Sequence, residues 1–454
     1  MSTRRILSLT VAAAVVAGIL GVLAVVRQAG HPAPSIILVS VDTLRPDHLG
    51  CYGYPKKTSP AVDAFARDAI LFENCFSQAP TTRPSCASFL SGFLPHECKV
   101  FTNSDNIPPE VPMVAEQLKA KGYRTLGVSS NFVLGQGTGY DRGFDVFDNR
   151  LDEAELVRKV PERLAAKTTD AAISLLRADG RKGKFFMWIH YQDPHGPYTP
   201  PPPFDTAFLR SGREIRRLEF NSTFSGIGGI PSYQRIGDED DFDFYAGRYD
   251  GEIGYFDAHF GRLLKALRDM DLYDNSLIIF TADHGEGMGE RDYFFAHGEY
   301  VYNNLIRVPL LVRSAESTPV TRSEYVELLD LAPTILRFAG IEPDPKLRGR
   351  DLLGGDLKPA AIFSEMEGKY SIIEDGMKLI IHADPGEFLL FDLGDDPGEQ
   401  HDLSAEANYA RYVEPLKRTL SDFFRQDRIG AAVRTPANLS EEDKEKLKSL
   451  GYIH

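Results

Sequence analysis

Two aspartates and a histidine stand directly after apolar runs that have the length of buried strands. Asp42 follows the run Val39–Val41, and the pair Asp283-His284 follows the run Ile278–Ala282. Ligands of open α/β sheets gather at the carboxyl ends of the strands, which is where these side chains stand. Carboxylate oxygens and an imidazole nitrogen are common ligands of divalent cations. The pattern therefore predicts a metal site.

A hydroxyl group stands where a helix is predicted to begin. Thr82 lies two residues before Pro84, which suits the first turn of a helix. The free N–H groups and the positive dipole at a helix N-terminus stabilise an alkoxide and attract an anionic substrate. Thr82 is thus a candidate nucleophile, and an ordinary helix cap is the alternative interpretation of this segment.

Two further histidines lie in loops close to these segments. His195 follows the apolar run Phe185–Tyr191 in a proline-flanked loop, and His297 lies past the Asp-His pair. Each can bind a second ion, protonate a leaving group or contact an anionic oxygen. For His195, a purely structural histidine is the alternative.

The elements that must position these residues alternate short apolar runs with amphipathic stretches, as in βα units around a largely parallel sheet. The predicted strands are Ser35–Val41, Arg124–Ser129, Phe185–Tyr191, Ser276–Thr281 and Pro309–Arg313. The predicted helices are Ser59–Asp68, Val111–Lys121, Glu153–Leu176, Glu252–Met270 and Leu328–Ala339.

Two segments depart from this alternation. Residues 200–243 are rich in Pro, Gly, Arg and Asp, which predicts a long loop that either sets substrate selectivity or is a plain surface loop. After Arg348, four short apolar runs predict an antiparallel meander, followed by a helix over Tyr412–Arg425. We therefore divide the chain into residues 1–34, a catalytic domain at 35–347 and a C-terminal subdomain at 348–454.

The first of these divisions contains a candidate membrane anchor. Residues 6–26 are apolar except for Ser8 and Thr10, and as a helix of about 1.5 Å per residue they reach about 31 Å. Arg4 and Arg5 keep the N-terminus cytoplasmic. We expect an uncleaved signal anchor that faces the periplasm or extracellular space, with secretion after signal-peptide cleavage as the alternative.

The composition excludes a mostly disordered, a collagen-like and a polytopic membrane protein. The 454 residues carry a net charge of −14 with 43% hydrophobic residues, which is typical of a globular chain and unfavourable for binding nucleic acid. The four cysteines fit no zinc-ribbon spacing. A Cys51–Cys75 or Cys86–Cys98 disulfide and buried thiols all remain open, as does the oligomeric state.

Eight segments, in order, resemble the sulfatase family of the alkaline-phosphatase superfamily: VSVDTLRPDHLGCYGY, APTTRPSCASFLSGFLPHE, HYQDPHGPY, YDGEIGYFD, TADHGEGMGE, IRVPLLV, LLDLAPTIL and LFDLGDDPGEQHDL. The resemblance spans about residues 35–403. It implies an α/β/α sandwich with a small C-terminal antiparallel sheet. It also implies a divalent cation held by Asp42, Asp283, His284 and Thr82, with His195 and His297 on the oxyanion or leaving group.

The departures from the family pattern concern the nucleophile and the anion contacts. Family sulfatases convert the Cys or Ser that opens a C/S-x-P-x-R motif to formylglycine, whereas Thr82 and Cys86 occupy the first and last positions here. Thr43 replaces a second aspartate, and Ser130 and Phe132 replace a Lys and a His. The remaining oxygen and nitrogen donors favour Mn²⁺ or Zn²⁺, with Ca²⁺ as the alternative. Related sequences often carry His near Cys86 and Cys98, and we expect a disulfide there.

A threonine nucleophile resembles the phosphodiesterase, phosphonate hydrolase and membrane phosphotransferase branches of the superfamily. The leading hypothesis is therefore a metal-dependent hydrolase or transferase of an exported phosphate ester or phosphodiester, its substrate a small anionic ester, a glycan or a lipid headgroup. A sulfatase that works without formylglycine is the second hypothesis. A non-catalytic binding protein is the third, although it has no need to retain all six site residues.

Overall fold

The computed structural model describes residues 34–155, 157, 159–180, 182–209, 215–355, 357–383, 386–425, 429 and 434–436. The predicted signal anchor, residues 6–26, lies outside these ranges. Within them, no helix combines the length and the apolar character that a membrane crossing requires.

A mixed eight-stranded sheet forms the centre of the fold. Its strands are β1 (Ser35–Val41), β2 (Ile70–Phe76), β3 (Arg124–Ser129), β4 (Val146–Asp148), β5 (Phe185–Tyr191), β6 (Ser276–Ala282), β7 (Arg307–Arg313) and β8 (Val320–Glu327). Their order across the sheet is β8-β2-β7-β6-β1-β5-β3-β4. The strands β1, β5 and β6 are buried at every residue. The site therefore stands on the most buried part of the sheet.

The sheet is largely parallel, as the sequence predicts, and contains one antiparallel strand. All five predicted strands are present, but β7 runs antiparallel to both of its neighbours, β6 and β2. The connection from β6 to β7 is made of loops and short turns rather than a crossover helix, which permits antiparallel pairing. β2, β4 and β8 are not among the predicted strands, and β8 is an edge strand that is largely exposed and polar.

Helices cover both faces of this sheet. They are α1 (Pro60–Ala66), α2 (Thr82–Ser91), α3 (Val114–Ala120), α4 (Ala165–Asp179), α5 (Phe242–Asp269) and α6 (Leu331–Phe338). The helix α5 packs against α1 and α4, whereas α2, α3 and α6 pack against one another. This arrangement is the predicted α/β/α sandwich.

Shorter elements fill the connections. Two-residue strands pair Asp105–Asn106 with Thr435–Pro436, Glu153–Ala154 with Pro161–Glu162, and Glu219–Phe220 with Gly229–Ile230. The four-residue helices are Pro95–Cys98, Phe204–Ala207 and Asn303–Ile306. The 3-10 turns are Pro46–His48, Gly50–Tyr52, Phe132–Leu134, Ser232–Gln234, Glu290–Asp292 and Leu328–Asp330.

Two predicted helices have different starts in the structure. The helix predicted from Glu153 begins at Ala165, because Pro161 lacks an N–H and its segment pairs as a short hairpin instead. The helix predicted from Glu252 begins ten residues earlier, at Phe242. In the ten residues before the predicted start, a Cβ on Gly251 would lie 2.4 Å from the carbonyl oxygen of Phe204. The glycine therefore permits close packing within a helix.

The antiparallel sheet predicted after Arg348 is present. It consists of β9 (Ile362–Met366), β10 (Lys369–Glu374), β11 (Met377–His382) and β12 (Phe388–Asp392), paired in that order. The helix α7 (Ala410–Phe424) packs its apolar side against this sheet. The predicted meander and terminal helix are both confirmed.

The expected Cys86–Cys98 disulfide is wrong. All four cysteines lie in the described part of the chain, and none of them forms a disulfide. Cys98 Sγ contacts Ser91 Oγ at 3.4 Å and the Phe93 carbonyl oxygen at 3.7 Å, within its own turn of chain. The Cys51–Cys75 pairing is also absent.

A buried ion pair within the C-terminal subdomain is hydrogen-bonded to the main domain. Lys378 Nζ on β11 lies 2.6 Å from Glu399 Oε1, and both side chains are buried. The ammonium also donates to the Val301 carbonyl and to Asn303 Oδ1, each at 2.8 Å. Burial lowers the pKa of Lys378, and the charge of Glu399 opposes that shift. Loss of either partner would therefore leave the other charge buried without a counterion.

We expect Lys378→Met to lower the free energy of unfolding by about 3–5 kcal/mol, because it leaves the carboxylate of Glu399 buried without its cation. Urea denaturation followed by circular dichroism measures this. The matched control is Lys265→Met, which breaks an exposed ion pair with Asp269 and should cost only about 0.3–0.5 kcal/mol. Equal unfolding midpoints for the two variants would contradict the prediction.

Candidate functional site

Two neighbouring strands end together and bring Asp42 and Asp283 side by side. In the parallel register of β1 and β6, Val41 pairs with Ala282, so the two aspartates follow at equivalent positions. The Asp283 amide donates to the Val41 carbonyl at 3.2 Å, which extends the pairing past the strand ends. Adjacent strands lie about 4.8 Å apart, so the two carboxylates share one small volume.

Half of the carboxylate oxygens in this pair have protein donors. Asp42 Oδ2 accepts a hydrogen bond of 2.5 Å from Asn131 Nδ2. Asp283 Oδ1 accepts from the backbone amides of His284 at 2.8 Å and Thr43 at 3.3 Å. Asp42 Oδ1 and Asp283 Oδ2 are buried and have no hydrogen-bond partner among the described residues. Two acceptor oxygens are therefore left for another group.

A third ligand atom points at the same place. His284 Nδ1 lies 3.0 Å from the Gly285 carbonyl oxygen, and because a carbonyl can only accept, Nδ1 carries the hydrogen. The lone pair is then on Nε2, which lies 3.5 Å from Asp42 Oδ1 and 3.6 Å from Asp283 Oδ2. The three ligand atoms all lie within 4.8 Å of one another.

Thr82 completes this group from the helix above. It is the first residue of α2, after Thr81 in extended conformation, so it does not occupy the cap position. Its Oγ1 lies 3.4 Å from His284 Nε2. Ser85 Oγ donates to the Asp283 carbonyl at 2.6 Å, which fastens the first turn of the helix to the end of β6. The hydroxyl is fully buried at a helix N-terminus.

These residues fit a divalent cation. The two unpartnered carboxylate oxygens and the imidazole lone pair are ligand atoms without another role, and a buried negative charge requires a positive partner. Burial raises the pKa of Asp42 to about 7. Burial, and then the neighbouring charge of Asp42, raise the pKa of Asp283 well above its usual range. Burial holds the pKa of His284 well below 6.5, which preserves its lone pair.

The two remaining predicted residues, His195 and His297, lie beside the cluster. The ring centre of His297 is 4.5 Å from that of His284 and 5.1 Å from that of His195. His195 Nδ1 lies 2.7 Å from the Gly196 carbonyl oxygen, so this nitrogen carries the hydrogen. The structure thus brings all six predicted residues to one place.

Glu286 orients His297 and is a residue that the sequence analysis left without a role. Its Oε1 lies 3.1 Å from His297 Nδ1, and its Oε2 accepts from the Tyr198 hydroxyl at 3.0 Å. Burial alone would lower the pKa of His297, but Glu286, Asp42 and Asp283 raise it above 6.5. Glu286 therefore positions the His297 ring and is the largest of the charges that raise its pKa.

Three more residues were missed. Asn131, which orients Asp42, lies two residues past the end of β3 and could have been found from that position. His190 Nε2 lies 3.7 Å from Asp42 Oδ2 and has no hydrogen-bond partner in the described chain. Asn103 Oδ1 accepts from the Arg83 amide at 2.8 Å, which leaves its buried Nδ2 beside the start of α2. We find no sequence signal for Asn103.

Arg83 does not replace the arginine that is absent from position 86. Its Nε donates to the Val133 carbonyl at 2.6 Å and its Nη1 to the Asp105 carbonyl at 3.1 Å. Ser130, at the position of a family lysine, donates to the His190 carbonyl at 2.9 Å. Both side chains therefore support backbone rather than an anion.

Comparison with known proteins gives a consistent result. The Sulfatase family model matches residues 34–341. The uncharacterized sulfatase YidJ of Escherichia coli K12 is 22% identical, over 86% of this chain and 87% of that protein. The N-acetylglucosamine-6-O-sulfatase of Bacteroides thetaiotaomicron is 23% identical, over 87% and 86%.

Solved structures share the fold. One is a protein in complex with its substrate D-glucosamine-2-N,6-O-disulfate, with a TM-score of 0.72 and 22% identity, covering 88% of this chain and 99% of that one. Another is the phosphonate monoester hydrolase of Agrobacterium radiobacter, with a TM-score of 0.71 and 21% identity, covering 90% and 99%.

The buried carboxylate pair predicts how stability depends on pH and on metal. Burial places the folded-state pKa of Asp42 at about 7, above its ordinary value of 3.8, so the metal-free protein binds more protons folded than unfolded between these pH values. Its stability should therefore fall as pH rises from about 4 to about 7. Thermal melts of chelator-treated protein across this range measure the effect.

Asp42→Asn should flatten that dependence, and it should also reduce the gain in melting temperature that a divalent cation gives the wild type. At 100 times its dissociation constant a cation adds about 2.7 kcal/mol. Asp269→Asn, at an exposed site on α5, is the control and should behave as wild type. A metal-dependent gain that is undiminished in Asp42→Asn would show that the cation binds elsewhere.

Proposed function

The chain belongs to the sulfatase family, and we propose that within it this protein is a metal-dependent hydrolase or transferase of a phosphate ester or phosphodiester, with Thr82 as nucleophile. The observation that carries this proposal is the position of Thr82 Oγ1, 3.4 Å from His284 Nε2 at a helix N-terminus. Threonine carries a methyl group on the carbon that would have to become the aldehyde of formylglycine. The hydroxyl itself is therefore the reacting group.

Asp42, Asp283, His284 and Thr82 would hold the divalent cation. Their mixed oxygen and nitrogen donors favour Mn²⁺ or Zn²⁺ over Ca²⁺, which takes six to eight oxygens. When bound there, the cation supplies a Lewis acid beside the Thr82 hydroxyl.

Each side chain has a separate role in the proposed reaction. Thr82 Oγ1 releases its proton to solvent and attacks phosphorus, the bond from phosphorus to the leaving oxygen breaks, and His297 gives that oxygen its proton. Glu286 raises the pKa of His297 and holds its ring toward the site. His195 contacts the remaining phosphoryl oxygens. Water or an alcohol then attacks the phosphothreonine and gives its proton to His297, the bond from phosphorus to Oγ1 breaks, and Thr82 regains a proton from solvent.

A sulfuric ester hydrolase that works without formylglycine is the second candidate. The named relatives support it, since two are sulfatases and one structural neighbour holds a sulfated glucosamine as substrate. The phosphonate monoester hydrolase of Agrobacterium radiobacter, a neighbour of nearly equal TM-score, supports phosphorus chemistry instead. A Thr82 sulfate ester has no aldehyde hydrate from which sulfate is eliminated, so slow turnover is expected from this candidate.

The export of the catalytic part belongs to the same proposal. Residues 6–26 have the length and apolar character of a signal anchor, and Arg4 and Arg5 place the N-terminus in the cytoplasm. The substrate is then an anionic ester, a glycan or a lipid headgroup outside the cytoplasm.

We expect the full chain to remain in the membrane fraction after alkaline washing and to be digested by protease added to the outer side of that membrane. Deletion of residues 6–26 should leave the protein in the cytoplasm. Release of a shortened protein whose first residue lies past Val26 would indicate cleavage and secretion instead.

We expect Thr82→Ala to lower the rate on an aryl phosphate or aryl phosphodiester by about 10³-fold or more, because it removes the attacking oxygen. Thr82→Ser keeps a hydroxyl and is the matched variant, which should retain activity. A panel of aryl phosphate, phosphodiester, phosphonate monoester and sulfate, each with Mn²⁺, Zn²⁺ or Ca²⁺, measures this. Acid quenching during turnover should trap a phosphoryl group on Thr82.

The panel separates the candidates. Thr82-dependent release from the sulfate alone would establish the second candidate. Release that is equally fast in Thr82→Ala would contradict a threonine nucleophile.

A further inference from the structure

A second group of potential metal ligands lies beside the first. The Cys86 thiol, a ring nitrogen of His190 and a carboxylate oxygen of Asp283 lie within 4.8 Å of one another. All three side chains are fully buried. Asp283 also belongs to the group formed with Asp42 and His284, so the two groups share one carboxylate.

The helix α2 places the thiol on the same side as the nucleophile. Cys86 follows Thr82 by four residues, and side chains at this spacing lie one above the other on a helix. The bond from Ser85 to the Asp283 carbonyl holds this turn against the end of β6. The thiol is therefore part of the site.

His190 has the surroundings of a metal-binding histidine. Its Nδ1 lies 2.9 Å from Ser40 Oγ, which accepts a hydrogen bond of 2.9 Å from Trp188 Nε1. A metal-binding histidine donates the hydrogen of one ring nitrogen to a neighbour and presents the other nitrogen to the ion, and His190 does so in the tautomer whose Nδ1 donates to Ser40 Oγ. Nε2 of His190 has no hydrogen-bond partner in the described ranges although it is completely buried.

We propose that Cys86, His190 and Asp283 bind a second divalent cation of the zinc class, with Asp283 shared between the two ions. A thiolate, an imidazole and a carboxylate are the ligands that Zn²⁺ takes in proteins, and three protein ligands with an open position are typical of reactive zinc sites. Ca²⁺ and Mg²⁺ take oxygen ligands, so the thiol selects against them. The proposal depends on neither the substrate nor the role of Thr82 as nucleophile.

A second ion would give a role to Cys86, which stands where the family pattern has an arginine. Position 86 holds a thiol instead of a fixed positive charge, and Arg83 points to backbone carbonyls. Zn²⁺ at Cys86 would return positive charge to this side of the site. The thiol proton is released to solvent when the metal–sulfur bond forms.

The test is the metal content of the full chain in detergent, stripped with chelator, reloaded with Zn²⁺ and dialysed. We expect two equivalents in the wild type and one in Cys86→Ala. Cys98→Ala removes another buried cysteine twelve residues away and should keep two. Loading with Co²⁺ should give a thiolate-to-cobalt charge-transfer band in the wild type and in Cys98→Ala, and no such band in Cys86→Ala.

One equivalent of Zn²⁺ in the wild type, or two retained in Cys86→Ala, would overturn the proposal, as would Co²⁺-loaded wild type without the thiolate band. The wild-type stoichiometry and spectrum are decisive even if a variant fails to fold, and His190→Ala, which should also lose one equivalent, provides a second variant. None of these measurements uses turnover. Only the substrate panel tests the phosphoesterase proposal, so the failure of one proposal can be distinguished from the failure of the other.

Discussion

The burial of two carboxylates at the ends of adjacent strands is the constraint on which the site depends. The register of β1 and β6 places Asp42 and Asp283 side by side with no solvent around them. An ionised carboxylate that leaves water without a partner is costly, and two that share a volume repel each other. The protein therefore has to protonate the pair or bind a cation there.

The neighbouring groups supply only part of what the pair needs. Asn131 and two backbone amides satisfy one oxygen of each carboxylate and leave the other bare. The Gly285 carbonyl directs the lone pair of His284 toward the bare oxygens. The two bare oxygens therefore have no hydrogen-bond donor in the described chain, and this is the point where a cation would bind. The first turn of α2 places the Thr82 hydroxyl beside the same point.

Sequence patterns could locate the parts of this site but not their hydrogen bonds. Asp42 and Asp283 could be placed because an apolar run of strand length ends at each of them, and Thr82 because the proline two residues later suits the first turn of a helix. The bond from Asn131 to Asp42 joins residues 89 positions apart, and that between His190 and Ser40 joins residues 150 apart. Such contacts depend on strand order and side-chain orientation, which local patterns do not encode.

The same reasoning explains the errors in the fold. The antiparallel direction of β7 follows from a connection without a crossover helix, and an apolar run does not reveal its direction. The first half of α5 contains glycines that indicate a loop by composition, yet Gly251 is there because Phe204 approaches the helix backbone. The disulfide was expected because Cys86 and Cys98 both lie beside the nucleophile segment in the sequence, whereas in the structure Cys98 contacts its own turn of chain.

The source of positive charge distinguishes this site from the family pattern. A sulfatase of that pattern carries a fixed arginine and lysine near its nucleophile, whereas this chain has Cys86 and Ser130 at those positions. The groups that can carry positive charge there are His297, whose pKa Glu286 raises, the N-terminus of α2 and whatever metal the carboxylates bind. The contribution of His297 depends on the buried carboxylate of Glu286, and that of the metal depends on the buried carboxylates of Asp42 and Asp283. Binding of an anionic ester is therefore coupled to metal loading more tightly than it would be in a site lined with permanent cations.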